Sequence, residues 1–246
     1  MNYLILDLET VPDLDIYTPV PGPDGQPVFP PVWAHRVVAA GCCMLDHQYR
    51  FQKAGVMMGG EQHILARLSK FVASTPMTLV TWNGRGFDLP VIVHRSLRHG
   101  IPIPWYYNQR GMRHRFSEDG HLDLCDFLSD HGASRSSRLD HVSKLIGGPG
   151  KSGNGSSVEQ MYLEHQYDKI IDYCYDDIAI TTEVFLRLLL IRGQVTPEVY
   201  AGLGVTAING FDRHRPRRAE PVQLDLVLPE SGVVSDPTVD PHSPGD

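Results

Sequence analysis

Near the N-terminus two acids stand one residue apart in an apolar run, Tyr3-Leu4-Ile5-Leu6-Asp7-Leu8-Glu9. Alternate side chains of a strand share a face, so Asp7 and Glu9 point the same way, with Tyr3 and Ile5. Leu4, Leu6 and Leu8 take the other face. A strand apolar on both faces is a buried one, and its C-terminal end is where open α/β sheets place their ligands. Two unit charges 4 Å apart repel by about 4 kcal/mol at an effective dielectric of 20. A divalent cation between them removes that cost, and so does solvent if the strand end is exposed.

Two further stretches carry chemistry only in company. Asn83-Gly84-Arg85-Gly86-Phe87-Asp88 follows a β-rich run and precedes Leu89-Pro90. Taken singly, Asp88 reads as an N-cap of the next helix. Tyr173 and Asp177, four apart, share a helix face beside an apolar stripe of Ile170, Ile171, Cys174 and Ile178. With Asp172 and Asp176 adjacent, that pair alone reads equally as an exposed acidic patch.

The elements that must position these residues follow from pattern. Asn2–Glu9 is the first strand. Residues 12–35 hold seven prolines and read as a long surface loop. Val37–Leu45 and Arg50–Val56, joined by Asp46–Tyr49, form a hairpin. Glu61–Ser74 has helical periodicity, Thr78–Trp82 is a short strand, and Pro90–His99 is a helix stopped by Gly100. Residues 101–120 look irregular, and His121–Ser129 is either a strand end or a helix. Leu139–Ile146 is a short helix before a Gly/Ser-rich loop at 147–157. Ser157 with Gln160 gives a capping box for the next helix. Asp168–Arg192 is the longest helix. The order implies an α/β fold with a mixed sheet.

Composition bounds the rest. The chain has 246 residues, 41% hydrophobic and 21% charged, an ordinary globular balance. No apolar run is long enough to span a membrane and no secretory signal is evident, so no membrane partner is expected. Four cysteines (42, 43, 125 and 174) lack metal-ligand or disulfide spacing, which favours a reducing, cytoplasmic setting. Of the net charge of −7, six units come from the stretch after Arg218, which has six acids and no Lys or Arg. The body is therefore nearly neutral and can hold a local groove for phosphates. Residues 105–116 mix Trp105, Tyr106, Tyr107 and Phe116 with Arg110, Arg113 and Arg115, a composition suited to unpaired bases or to a plain loop with core aromatics. Arg213–Arg218 reads as a solvated linker rather than a second nucleic-acid contact. Gly150-Lys151-Ser152 ends like a phosphate-cradling ATPase loop, but the required earlier glycine is Leu145.

Together the strand Asp-x-Glu, the Asn-x3-Phe-Asp turn and the helical Tyr-x3-Asp resemble the DEDD superfamily of 3′–5′ exonucleases, in its tyrosine branch. More narrowly they resemble predicted exonucleases related to the exonuclease domain of family B DNA polymerases. The likeness runs from about Asn2 to Arg192 and takes in His121-Leu-Asp-Leu124 and Leu145–Lys151. It implies a ribonuclease H-like fold, a mixed five-stranded sheet flanked by helices, over residues 1–210. Residues 211–246 would be a basic, then acidic, flexible tail able to recruit a protein partner. The resemblance implies that Asp7, Glu9, Asp88 and Asp177 hold two ions, Mg²⁺ or Mn²⁺, with Asp7 bridging them and Asp88 acting partly through water. Oxygen ligands suit such hard cations. One ion would activate the attacking water and the other steady the leaving 3′ oxygen. Tyr173 would orient that water. Thr10, Asn83, Phe87 and Lys151 would contact the substrate, the 3′ end of single-stranded DNA or RNA, and the product would be a nucleoside 5′-monophosphate.

Overall fold

A computed structural model describes residues 1–215 except 24, 26, 75, 149 and 151–155. Lys151 and most of the expected tail therefore lie outside the described residues. The chain runs β1 (Asn2–Pro12), a single 3-10 turn (Val32–Ala34), β2 (His35–Leu45), β3 (Phe51–Met58), α1 (Glu61–Ser74), β4 (Met77–Thr81), α2 (Asp88–His99), α3 (Pro104–Asn108), β5 (His121–Asp123), α4 (Leu124–Leu128), α5 (Leu139–Leu145), α6 (Ser156–Leu163), α7 (Tyr167–Ile191) and α8 (Pro197–His214). The sheet order is β3-β2-β1-β4-β5. β1 pairs antiparallel with β2 and parallel with β4; β2–β3 is antiparallel and β4–β5 parallel. This is the mixed five-stranded sheet expected of the ribonuclease H-like fold.

Central β1 is apolar on both faces because each face meets its own helix layer. Ile5 joins Cys43, Leu45 and Val80 in a core under α7 and α8. Leu4, Leu6 and Leu8 pack on the other side against α1, α2 and α3. The β2–β3 hairpin turns on Asp46, whose carboxylate accepts the amides of Gln48 and Arg50. Pro197 opens α8 behind Thr196, whose hydroxyl accepts the Val199 amide.

Several expectations are corrected. α6 begins at Ser156, so Ser157 lies within the helix and is not its N-cap. The stretch 121–129 is both a strand end and a helix, since Asp123 closes β5 and caps α4. Leu139–Leu145 is helical as expected, so no strand precedes Gly150 as a phosphate-cradling loop requires. The folded body passes residue 210: α8 continues to His214 and buries Phe211. Arg215 pairs with Asp176 on α7, and the Tyr175 hydroxyl donates to the His214 carbonyl. The start of the basic cluster is thus tied down rather than a linker.

The proline-rich loop also departs from a simple surface connection, because Asp13 at its start is fully buried. Asp13 pairs with Arg36 (2.5 Å) and Arg95 (2.7 Å), and Arg95 also holds Glu61 at 2.6 Å. Glu61 accepts the Val37 amide as well, and His99 Nε2 lies 2.6 Å from it. Four separate segments meet at this network: the end of β1, β2, α1 and α2. Burial opposes ionisation of Asp13 and Glu61, yet their Arg95 contacts, with Arg36 and His99, hold both carboxyls below the usual range. Such depressed groups stabilise the fold fully above their unfolded values of about 4, and that stabilisation drains as pH falls through the folded values. Arg95→Met leaves two buried acids without their main partner. Urea unfolding at pH 7 should register a loss of about 3–5 kcal/mol, narrowing towards pH 3. An equal loss at both pH values would show that packing, not charge, is what Arg95 supplies.

Candidate active site

Asp7 and Glu9 project from β1 towards α7, on the face of Ile5. A register shift opposite Ala39 and Val37 falls between Glu9 and Thr10, so regular pairing breaks just after the two acids. On the other side of β1, β4 pairs only as far as Ile5. The Leu8 amide therefore meets no strand there. The Asp88 carboxylate accepts it at 3.0 Å. This corrects the N-cap reading: Asp88 is the first residue of α2, the cap position is Phe87, and no side chain caps it. Asp88 acts instead as a replacement for a missing strand partner, between the two β1 acids.

The turn that delivers Asp88 is held from β5. The Asp123 carboxylate accepts the amides of Asn83 and Arg85, and also those of Cys125 and Asp126. Asn83 takes a left-handed φ of 62°. Gly84 lies so close to Thr81 that a Cβ would stand 2.3 Å from its hydroxyl oxygen. Asp123 is thus a positioning residue, inside the His121–Leu124 stretch to which the sequence assigned no role. Its only local signal was an acid at a strand end ahead of a helix.

From α7, Tyr173 and Asp177 face the sheet and are buried, unlike the exposed pair the sequence also allowed. Their approach depends on Gly41, the cross-strand partner of Asp7. A Cβ at Gly41 would lie 2.6 Å from Cys174 Sγ and 3.0 Å from Ile178 Cγ2. Donor atoms of Asp7, Glu9 and Cys174 all lie within 4.8 Å of one another. Asp7, Glu9, Tyr173 and Asp177 line a single cavity of about 580 Å³. Thr10 and Phe87 line it too, and residues of the proline loop form its opposite wall.

The electrostatics fit a cation there. Burial first, then the nearby Asp123 and Asp177, push the Asp88 carboxyl up to about 7, although the Leu8 amide pulls the other way. Burial, then Glu9, Asp7 and Asp177, raise the Cys174 thiol well above its ordinary value. Around it stand carboxylate oxygens, the donors that hard divalent ions take.

Not every expected contact joins this cavity. Asn83 lines a neighbouring one of about 650 Å³, with Arg85, Tyr106, Arg113 and Arg115. The turn 83–87 divides the two. Within the aromatic and basic strip, Trp105 is core and donates to Ser69. Arg115 is committed to Asp126, while Arg113 sits over the rings of Tyr106 and Tyr107. His35 and Phe29, which sequence reading did not single out, line the acid cavity. Neither belongs to a motif; only three-dimensional proximity finds them.

The packing of α7 on β2 yields a prediction. Gly41→Ala should overpack the contact and lower stability by about 1–3 kcal/mol. Gly41→Ala with Cys174→Ala should recover part of it in thermal unfolding. No recovery would mean that the helix rests on other contacts.

The likeness to known proteins agrees with this geometry. Residues 28–211 match the family described as predicted 3′–5′ exonucleases related to the exonuclease domain of PolB. The match takes in Asp88, Tyr173 and Asp177 and begins after the strand bearing Asp7 and Glu9. No curated protein matches the sequence. Among solved structures, the family B DNA polymerase of the archaeon Pyrobaculum calidifontis superposes with a TM-score of 0.55 at 16% identity, over 76% of this chain and 24% of the polymerase. Exonuclease I of E. coli, in complex with a 5cy-dA13 oligonucleotide, gives 0.50 at 13% identity, over 82% of this chain and 42% of that one. A product-bound exonuclease I gives 0.51 at 13% identity, over 82% and 45%. The chain thus spans less than half the length of these structural relatives, and at these identities they speak for the fold. On the family match, the chain belongs to the predicted 3′–5′ exonucleases related to the exonuclease domain of PolB.

Proposed function

We propose that the chain removes nucleotides from the 3′ end of single-stranded nucleic acid, releasing nucleoside 5′-monophosphates. The observation that carries this reading is the shared cavity of Asp7, Glu9, Tyr173 and Asp177, with Asp88 bound to the backbone between the first two. A module that only held a phosphate backbone would gain nothing from Asp7, Glu9 and Asp177 facing it; Asp88 sits behind them and does not line the cavity. DNA is favoured over RNA because exonuclease I, of the same fold, has been solved with a DNA oligonucleotide.

Two divalent ions, Mg²⁺ or Mn²⁺, held by Asp7, Glu9, Asp88 and Asp177, would supply positive charge at the phosphate and a water of lowered pKa. The protein's own groups do the rest. The four acids, drawn from β1, α2 and α7, fix where the terminal phosphodiester must lie. The Tyr173 hydroxyl orients the attacking water by a hydrogen bond. With an ordinary pKa of about 10, a tyrosine is a hydrogen-bond partner at neutral pH rather than a base. Thr10 and Phe87 contact the terminal nucleotide from within the cavity. Asn83, across the turn, contacts the strand further from its end, and Lys151 adds a phosphate contact.

An end-labelled single strand incubated with Mg²⁺ or Mn²⁺ should give a ladder shortening from the 3′ end. Asp7→Ala should abolish it and also abolish the rise in melting temperature on adding Mn²⁺. Matched RNA degraded faster than DNA would reassign the substrate. Full activity in Asp7→Ala would place the chemistry elsewhere. Tyr173→Phe should lower turnover by about 100-fold while keeping the Mn²⁺-dependent melting shift. Loss of that shift would make the hydroxyl a ligand and overturn its assigned role.

A further inference from the structure

We propose that Phe29 is a stacking platform for the terminal base, and that the proline loop bearing it selects an unpaired end. The proposal rests on the exonuclease reading and adds to it a residue outside the acidic motifs. Phe29 is 71% exposed, although its ring lies in the wall of the acid cavity. An aromatic left that open beside the place of reaction offers a face to a planar ligand. Its other neighbours are rings: His35 at 4.9 Å and Phe87 at 5.8 Å between centroids. His35 and Phe87 meet edge-on at 4.9 Å. Three rings from two separate segments thus line one side of a cavity whose floor is carboxylate.

The loop is built to hold that ring still. The Val28 amide donates to the Val20 carbonyl, and Pro21 and Pro27 form an isolated antiparallel bridge, so the two arms of the loop are tied. Prolines at 19, 21, 27, 30 and 31 restrict the backbone on both sides. His35 is buried and braces the base of the loop through both ring nitrogens. Its Nε2 is 3.0 Å from the Pro30 carbonyl oxygen and its Nδ1 is 3.0 Å from the Thr10 hydroxyl. The carbonyl can only accept, so Nε2–H donates to it, and in the neutral ring Nδ1 accepts from Thr10. The stacking face is therefore linked through one imidazole to the residue next to Glu9.

A stacked base needs an aromatic face and a free edge. Pro19, Pro27, Val28 and Pro30 wall the same cavity and offer no side-chain hydrogen bond to a base. With the terminal base stacked on Phe29, a complementary strand would have to pass this apolar wall. Base–aromatic stacking tolerates any sequence, as a general exonuclease requires.

The test compares wild type, Phe29→Ala and Phe29→Trp on single-stranded and blunt duplex DNA. Phe29→Ala should raise KM for single strands about tenfold, leave kcat within about threefold, and narrow the preference for single strands. Phe29→Trp should restore KM. Without divalent ions, an oligonucleotide with 3′-terminal 2-aminopurine should change fluorescence on binding wild type and Phe29→Trp but not Phe29→Ala. An unchanged KM and an unchanged fluorescence response in Phe29→Ala would overturn the stacking role. An unchanged preference for single strands would overturn the selection of an unpaired end. Because Phe29 is exposed, the alanine variant should melt with wild type. If wild type shortened no strand at all, the exonuclease reading itself would fall, a result distinct from either of these.

Discussion

One hydrogen bond organises the site: the Leu8 amide donating to Asp88. β1 outruns its parallel neighbour β4, and its last residues keep a strand partner on one side only. A buried amide without a partner costs about 1–3 kcal/mol. The chain satisfies it with a carboxylate, and so pins the start of α2 between Asp7 and Glu9. Everything downstream serves that placement. Asp123 grips the turn before Asp88, Gly84 lets the turn close on Thr81, and Gly41 lets α7 settle near enough for Tyr173 and Asp177 to face the β1 acids. Burying these acids and crowding them together is unfavourable in isolation, as the raised Asp88 carboxyl records. The fold meets that cost with packing and leaves a set of oxygens suited to a hard cation.

Much of this was legible in the sequence where periodicity and stop signals agree. α1 spans Glu61–Ser74 as its apolar spacing requires, and α2 ends before Gly100. The alternation along β1 correctly divides its side chains between two cores, because a central strand has no solvent side to blur the pattern. The three motifs could be read because their chemistry needs fixed residue types at short spacing. α8 escaped notice. Its apolar residues are diluted by Gly202, Gly204 and Gly210, and Gly210 packs directly on Phe51. The role of Asp88 could not be read locally either: its partner lies 80 residues away, while an acid before a helix already has a sufficient local explanation. Asp13 and Arg95 were missed for a similar reason, since charged residues are expected outside unless paired, and pairing across the fold leaves no local trace.

The proline loop links these two themes. Its first residue, Asp13, is locked into the network that joins β1, β2, α1 and α2, and its far end is braced by His35. Between these anchors Pro19, Pro27, Val28, Phe29 and Pro30 line the acid cavity. A connection of this length is usually the least ordered part of a domain. Here both ends are tied to the same central strand that bears the acids, so the wall and the floor of the cavity share one frame.

The contact between Gly41 and Cys174 has a bearing on how such a sequence can drift. The gap between sheet and helix at that point is set by the absence of one side chain and the size of another. Neither position is given a role in the proposed chemistry, although both border the β1 acids. Yet a gain of bulk at 41 must be matched by a loss at 174, or the helix lifts and carries its tyrosine and aspartate away from their partners. Divergence among such proteins should therefore proceed at these two positions in step.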